Sequence, residues 1–186
     1  LQSRLRETTG QQDLQVLHRL DRLTAGLVLC SINRATRHHY HHLFATRKIT
    51  KTYHAVAHID TNDHLVGQRW EIKNRIVRAE PGFRMRIVDG PPNSHSVIRC
   101  IKQNGDKALF VLNPITGKTH QLRLHMQTLG WPIEHDNYYP ELQPKTADDF
   151  AQPLQLLAKE LSFIDPLTQQ ARVFSCDANL AANSFG

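Results

Sequence analysis

The chain has 186 residues, 40% hydrophobic and 22% charged, the balance of one folded domain with a sizeable core and not of a disordered polymer. Its 23 lysines and arginines against 17 aspartates and glutamates leave a net charge of +6, which suits a polyanionic partner. No apolar run approaches the ~20 residues of a membrane-spanning helix, and the charged opening LQSRLRETTG lacks the apolar segment of a secretory signal.

Taken in chain order, Gly26 opens GLVLCSI, an apolar run of strand length. Asn33 can cap a helix running to about Lys48, whose terminal Arg47-Lys48 pair complements the helix dipole. KTYHAVAHI alternates Tyr53, Ala55, Ala57 and Ile59 with Thr52, His54 and His58, the period-two pattern of a strand. WEIKNRIV, FRMRIV, HSVIRCI and ALFVL read as further strands, separated by Pro81-Gly82, Gly90-Pro91-Pro92 and Asn104-Gly105. Asn104-Gly105-Asp106 between two such runs predicts a hairpin. THQLRLHMQTL reads as a helix from Thr119, closed by Gly130 and buried along Leu122, Met126 and Leu129. LQLLAKELSFI and ARVFSC flank a last turn at Asp165-Pro166-Leu167-Thr168. Short turns between strands, with two inserted helices, predict a single α+β domain over residues 1–186 and not a doubly wound parallel sheet.

Charge is uneven: residues 1–58 hold nine basic and three acidic side chains, while residues 114–186 hold five and eight, so a positive face is expected in the first third. Cys30, Cys100 and Cys176 are odd in number, far apart, and set in apolar runs. Free thiols in a reducing compartment are therefore expected, and with them a cytoplasmic location.

Three segments carry chemistry. His38 and His42, in the run His38-His39-Tyr40-His41-His42, have the i,i+4 spacing of two metal ligands, but no carboxylate follows as a third. They lie opposite the apolar face of Tyr40, Leu43 and Phe44, which favours a solvated face over a metal site. In LHRLDRLTAG, Asp21 sits between Arg19 and Arg22, and guanidinium neighbours favour the ionised carboxylate that a nucleophile or base needs. ITGKTHQLRLH supplies Lys118, His120, Arg123 and His125 at a helix start, a set suited to anions.

HRLDRLTAGLVL resembles the H-R-L-D-x-x-T-x-G-L signature of the RluA-type family of RNA pseudouridine synthases. In the same order, KTYHAVA resembles that family's K-x-Y strand and ITGKTHQLRLHMQTLGWPI its T-G-R-T-H-Q-I-R-V-H block. LQLLAKELSFIDPLTQQ is similar to the late L-x-L-x-A-x-x-L-x-F segment, so the likeness covers about residues 14–176. The resemblance implies a mixed, mainly antiparallel sheet with flanking helices and a central cleft. It implies Asp21 as the catalytic carboxylate, Tyr53 stacking on the target base, Arg123 pairing with Asp21, Leu124 packing beside that pair, and Arg19 helping to fill the gap left by an extruded nucleotide. Lys118 stands where the family usually has arginine, and His135 where a glycine before the aspartate is common. The family's upstream D-K-P-x-G strand has no counterpart after Leu1, so the chain is expected to lack its N-terminal strand.

The expected reaction turns uridine into pseudouridine in ribosomal or transfer RNA. Asp21 serves either as nucleophile at C1′ or as base at C2′. Nothing is oxidised or hydrolysed, so neither cofactor nor metal is expected, and the resemblance implies a monomer away from membranes. Two other functions remain: a non-catalytic RNA-binding or chaperone relative, and a metal-dependent phosphodiesterase built on the histidine run.

Overall fold

The structure is a computed structural model that describes residues 1–80, 82–144 and 152–180. Its elements are α1 (Gln2–Thr9), β1 (Gln15–Val16), β2 (Ala25–Gly26), β3 (Cys30–Ser31), α2 (Arg37–Ala45), β4 (Ile49–His58) and β5 (Arg69–Arg78). They continue with β6 (Met85–Val88), β7 (Ser94–Asn104), β8 (Lys107–Pro114), α3 (Gln121–Thr128), β9 (Leu156–Ile164) and β10 (Ala171–Ser175). The main sheet runs β10-β9-β4-β8-β7-β5-β6 with every one of these neighbours antiparallel. Short β2 adds to β9 in parallel, which makes the sheet mixed. The α+β expectation holds, and each long strand coincides with an alternating run.

The alternation sets which face is buried. Tyr53 on β4, Leu112 on β8 and Ile98 on β7 are register partners and point to one side, where α3 brings Leu122 and Met126 onto them. Phe110, Ile98, Leu112 and Met126 are fully buried there, and Trp131 stacks on Phe110 with ring centroids 5.4 Å apart. A second cluster joins Leu43 of α2 to Ile49, Leu161 and Phe163, with Tyr40 and Phe44 alongside. The apolar face read for α2 is thus the one that packs. The hairpin at Gly105 forms with φ 58°, a conformation that glycine adopts without strain.

Three local readings change. GLVLCSI yields only the two-residue strands β2 and β3, because Gly26 is committed to a different contact, described below. The helix after Asn33 begins at Arg37, since the Asn33 side chain accepts the Ala35 N–H at 2.9 Å and closes a turn instead of a helix end. Helix α1, with no buried residue, escaped the reading because it has no apolar stripe. The three cysteines are free.

Helix α3 is buried on nearly all sides. His125, with no exposed surface, places Nε2 3.1 Å from Asn74 Oδ1 and 3.3 Å from Ser94 Oγ. Burial, with a smaller push from His95, drops its pKa from 6.5 to about 4. The folded protein therefore holds His125 neutral where the unfolded chain protonates it, and protons favour unfolding. Stability is expected to fall as pH drops from about 6.5 to about 4 and to level off below. The loss from this group is on the order of 3 kcal/mol. His18, His54 and His120, also shifted down by burial, act in the same direction. Urea midpoints measured across this range should show the decline, with a shallower slope in His125→Gln.

Candidate active site

The segment before β2 is held at both ends. His18 Nε2 accepts the Leu29 N–H at 3.0 Å and its ring stacks on Phe44 with centroids 4.8 Å apart. Further on, Gly26 has φ 107°, and a Cβ there would lie 2.3 Å from the Ala158 carbonyl oxygen. Only glycine permits this approach of β2 to β9. Between these anchors Asp21 opens a turn closed by the Thr24 N–H donating to the Asp21 carbonyl at 3.1 Å, with Leu23 at φ 70° and its side chain on the central core. The Asp21 carboxylate is half-buried and makes no hydrogen bond or ion pair among the described residues.

Tyr53 stands in the middle of the sheet, opposite Leu112 on β8 and Ala158 on β9, just after a register shift at Thr52/Tyr53. Such an irregularity re-aims a side chain, and here the ring borders a cleft of about 620 Å³ that Asp21 also lines. Burial first, and the charge of Asp21 second, push the Tyr53 pKa up to about 12. The phenol is therefore protonated throughout the physiological range.

The far wall of the cleft is the 115–119 loop, clasped by buried Gln121. Its Oε1 accepts from Thr116 Oγ1 at 2.6 Å and from the Lys118 N–H at 3.0 Å. Its Nε2 donates to the His95 carbonyl at 2.9 Å and to Ser96 Oγ at 2.8 Å. Lys118 and Arg19, both exposed, stand at the rim, and Lys51 of β4 reaches in beneath Gly117.

Arg123 does not pair with Asp21. Its Nε donates to Asp136 Oδ2 at 2.7 Å and its Nη2 to Asp136 Oδ1 at 2.5 Å, with both side chains almost wholly buried. Asp136 outcompetes Asp21 because it is preset: its Oδ1 also accepts the N–H groups of Tyr138 at 2.8 Å and Tyr139 at 3.1 Å. The guanidinium lies over the Tyr138 ring, 4.7 Å from its centroid. Burial opposes the Arg123 charge, but the bond to Asp136 and the charges of Asp136 and, less, Asp21 outweigh it and raise its pKa. Its third nitrogen, Nη1, is buried with no partner among the described residues. Arg123 thus stands behind Asp21, close enough to feel its charge but bound elsewhere.

Leu124 does not line the cleft either. It packs with Ile76 and Tyr139, because at 100° per residue it is turned about 200° from Leu122, the α3 leucine that does line it. The structure therefore brings Arg19, Asp21 and Tyr53 to one cavity, leaves Arg123 one layer behind, and places Leu124 on the other flank. His120 was named in the sequence only among the anion-suited groups at the start of α3. It adopts φ 55°, sets Nδ1 2.9 Å from the Tyr139 hydroxyl, and has its pKa lowered by burial against the opposing charge of Asp21. His135 also takes a positive φ, 61°, which accounts for glycine being usual there in the family pattern. Among the described residues no group of three His, Cys, Asp or Glu side chains is arranged to hold a metal, the histidine run of α2 included.

The family described as RNA pseudouridylate synthase matches residues 2–128. The dual-specificity RNA pseudouridine synthase RluA of Vibrio parahaemolyticus is 35% identical over 178 residues, covering 91% of this chain and 67% of its own. The ribosomal large subunit pseudouridine synthase C of Vibrio cholerae is 27% identical over 164 residues, covering 84% of this chain but only 49% of its own. Among solved structures, human RNA pseudouridylate synthase domain containing 1 superposes with a TM-score of 0.76 at 25% identity, over 95% of this chain and 73% of that one. With the ordered motifs, the sheet and the cleft in agreement, the chain belongs to the RluA-type family of RNA pseudouridine synthases.

Proposed function

We propose that this protein isomerises uridine to pseudouridine in RNA, with Asp21 as the catalytic carboxylate. The observation that carries the reading is an Asp21 carboxylate with no partner among the described residues, beside Tyr53 in a cleft whose other charged lining groups, among those residues, are cations. The N1–C1′ bond breaks, the base turns, a C5–C1′ bond forms, and the C5 proton leaves as N1 gains one. Asp21 acts at the sugar, as nucleophile on C1′ or base at C2′.

The target base must leave its stack, which takes about a few kcal/mol and least in a loop. A stem-loop of ribosomal or transfer RNA is therefore the proposed substrate, and a ribosomal target is the one printed in the Vibrio cholerae relative's name. Tyr53 offers a stacking face worth ~1–3 kcal/mol. Arg19 at the rim enters the space vacated by the nucleotide. Arg123, fixed by Asp136, is a positioning residue that holds positive charge behind Asp21. Leu124 supports this from the opposite side of α3 by anchoring the helix. The free cysteines support a reducing, cytoplasmic setting.

The test is tritium release from RNA carrying uridine labelled at C5. Release without added cofactor is the expected result, and RNA binding with no release from ribosomal and transfer RNA would overturn the isomerase reading. Tyr53 gives a second prediction. A phenol with a pKa of about 12 is a proton carrier only in its acid form, so the pH–rate profile should show no tyrosine titration below about pH 11. Tyr53→Phe should keep RNA affinity within about threefold, because the stacking face remains, while slowing tritium release by ~10²-fold or more if the hydroxyl relays the C5 proton. Equal loss of affinity and rate would assign the tyrosine to binding alone.

A further inference from the structure

Lys51 lies on β4 two residues before Tyr53 and is half-buried. Its ammonium points under the 115–119 loop, where a Cβ built on Gly117 would be 3.6 Å from Nζ. No carboxylate pairs with it and no acceptor meets Nζ among the described residues, although the ion-paired lysines 73 and 107 each find a glutamate. Its neighbours add to the charge: Arg47 follows the end of α2, and Lys118 stands on the loop above. Asp21, the one acidic residue lining the cleft among the described residues, acts electrostatically on Tyr53, His120 and Arg123, whereas Arg47 is the charge that acts on Lys51. Burial and Arg47 both lower the Lys51 pKa, the mark of a cation without its counter-ion.

A desolvated ammonium is unfavourable unless something anionic joins it. Asp21, Tyr53 and Lys51 line one cleft, a carboxylate, an aromatic face and a cation with no partner among the described residues. A nucleotide presents sugar, base and phosphate to match. Resting on the isomerase reading for its substrate, we propose that Lys51 seats a phosphodiester of the bound RNA strand next to the target uridine and so fixes the ribose against Asp21.

The test uses the full chain, unmodified transcripts of ribosomal and transfer RNA, and the variants Lys51→Met and Lys51→Arg. RNA affinity is measured over a range of salt, together with tritium release and Tm. Lys51→Met should weaken binding about tenfold near 0.1 M salt and make the log Kd–log salt slope shallower by about 0.7–0.9, one phosphate's worth. Its KM should rise more than its kcat falls, its Tm should stay at or above that of the unsubstituted protein, and Lys51→Arg should recover part of the affinity. An unchanged slope and affinity in Lys51→Met would overturn the inference. So would a fall in Tm with loss of affinity that Lys51→Arg does not recover, which is the pattern of a structural lysine. If the unsubstituted protein binds RNA but releases no tritium, the isomerase reading fails while the salt slopes still decide the role of Lys51. Absence of RNA binding altogether would overturn both.

Discussion

Asp21→Asn is expected to abolish pseudouridine formation, by ~10³-fold or more, while leaving the fold and RNA affinity in place. The amide keeps the size of the carboxylate but can neither attack C1′ nor take the proton at C2′. Because the Asp21 side chain makes no hydrogen bond or ion pair among the described residues, its loss removes no native contact, and stability should change by no more than about 0.5 kcal/mol. One further signature follows from position. The Asp21 charge contributes to the rise of the Tyr53 pKa to about 12, so in Asp21→Asn the phenol should ionise at lower pH, though burial still holds it above its ordinary value. Ultraviolet titration of phenolate measures this directly. Activity retained in Asp21→Asn would remove the residue from the chemistry, and an unmoved tyrosine titration would separate the two groups.

The second large effect concerns stability. Asp136→Asn should destabilise the protein by about 3–5 kcal/mol, because it leaves the Arg123 guanidinium buried without its counter-charge. In a domain of this size that is a fall in Tm of roughly 10 °C. The amide keeps one acceptor for the Tyr138 and Tyr139 N–H groups, so the loop should survive and the loss should reflect the charge. A change below about 1 kcal/mol would mean that the pair is solvated or dispensable. Isomerisation should also slow at temperatures where the variant is folded, since Arg123 is the buried cation behind Asp21 and Asp136 holds it.

Where period and partner were both local, the sequence was readable. The strands from Ile49 to Pro114 follow two-residue alternation, and their hairpins carry the glycines that such turns require. That Asp21 and Tyr53 line one cleft follows from motifs that are each contiguous, so the fold needs only to bring two blocks together. What failed was partner choice across distance. Arg123 has two carboxylates within electrostatic reach, and nothing in its own segment says that Asp136, 13 residues on and fixed by two backbone N–H groups, takes the direct contact. The signal lay in EHDNYY, where an aspartate followed by two tyrosines forms both the acceptor and the aromatic shelf for the guanidinium. Leu124 was misplaced for a related reason: every residue from Gln121 to Met126 is buried, so helical periodicity could not tell the cleft-facing leucine from the one on the opposite flank. Lys51 stood in plain view in the K-x-Y strand, but a lysine on a strand usually reads as solvated, and only the loop above it shows that it is not.

The most direct test is a nucleoside balance. RNA lacking modification is incubated with the protein, digested to nucleosides, and the uridine, pseudouridine and free uracil are quantified against time. Isomerisation at Asp21 predicts that pseudouridine appears mole for mole as uridine disappears, with no free uracil and no change in RNA mass. Uracil release with abasic sites left in the strand, or an unchanged uridine content in RNA that the protein demonstrably binds, would contradict it.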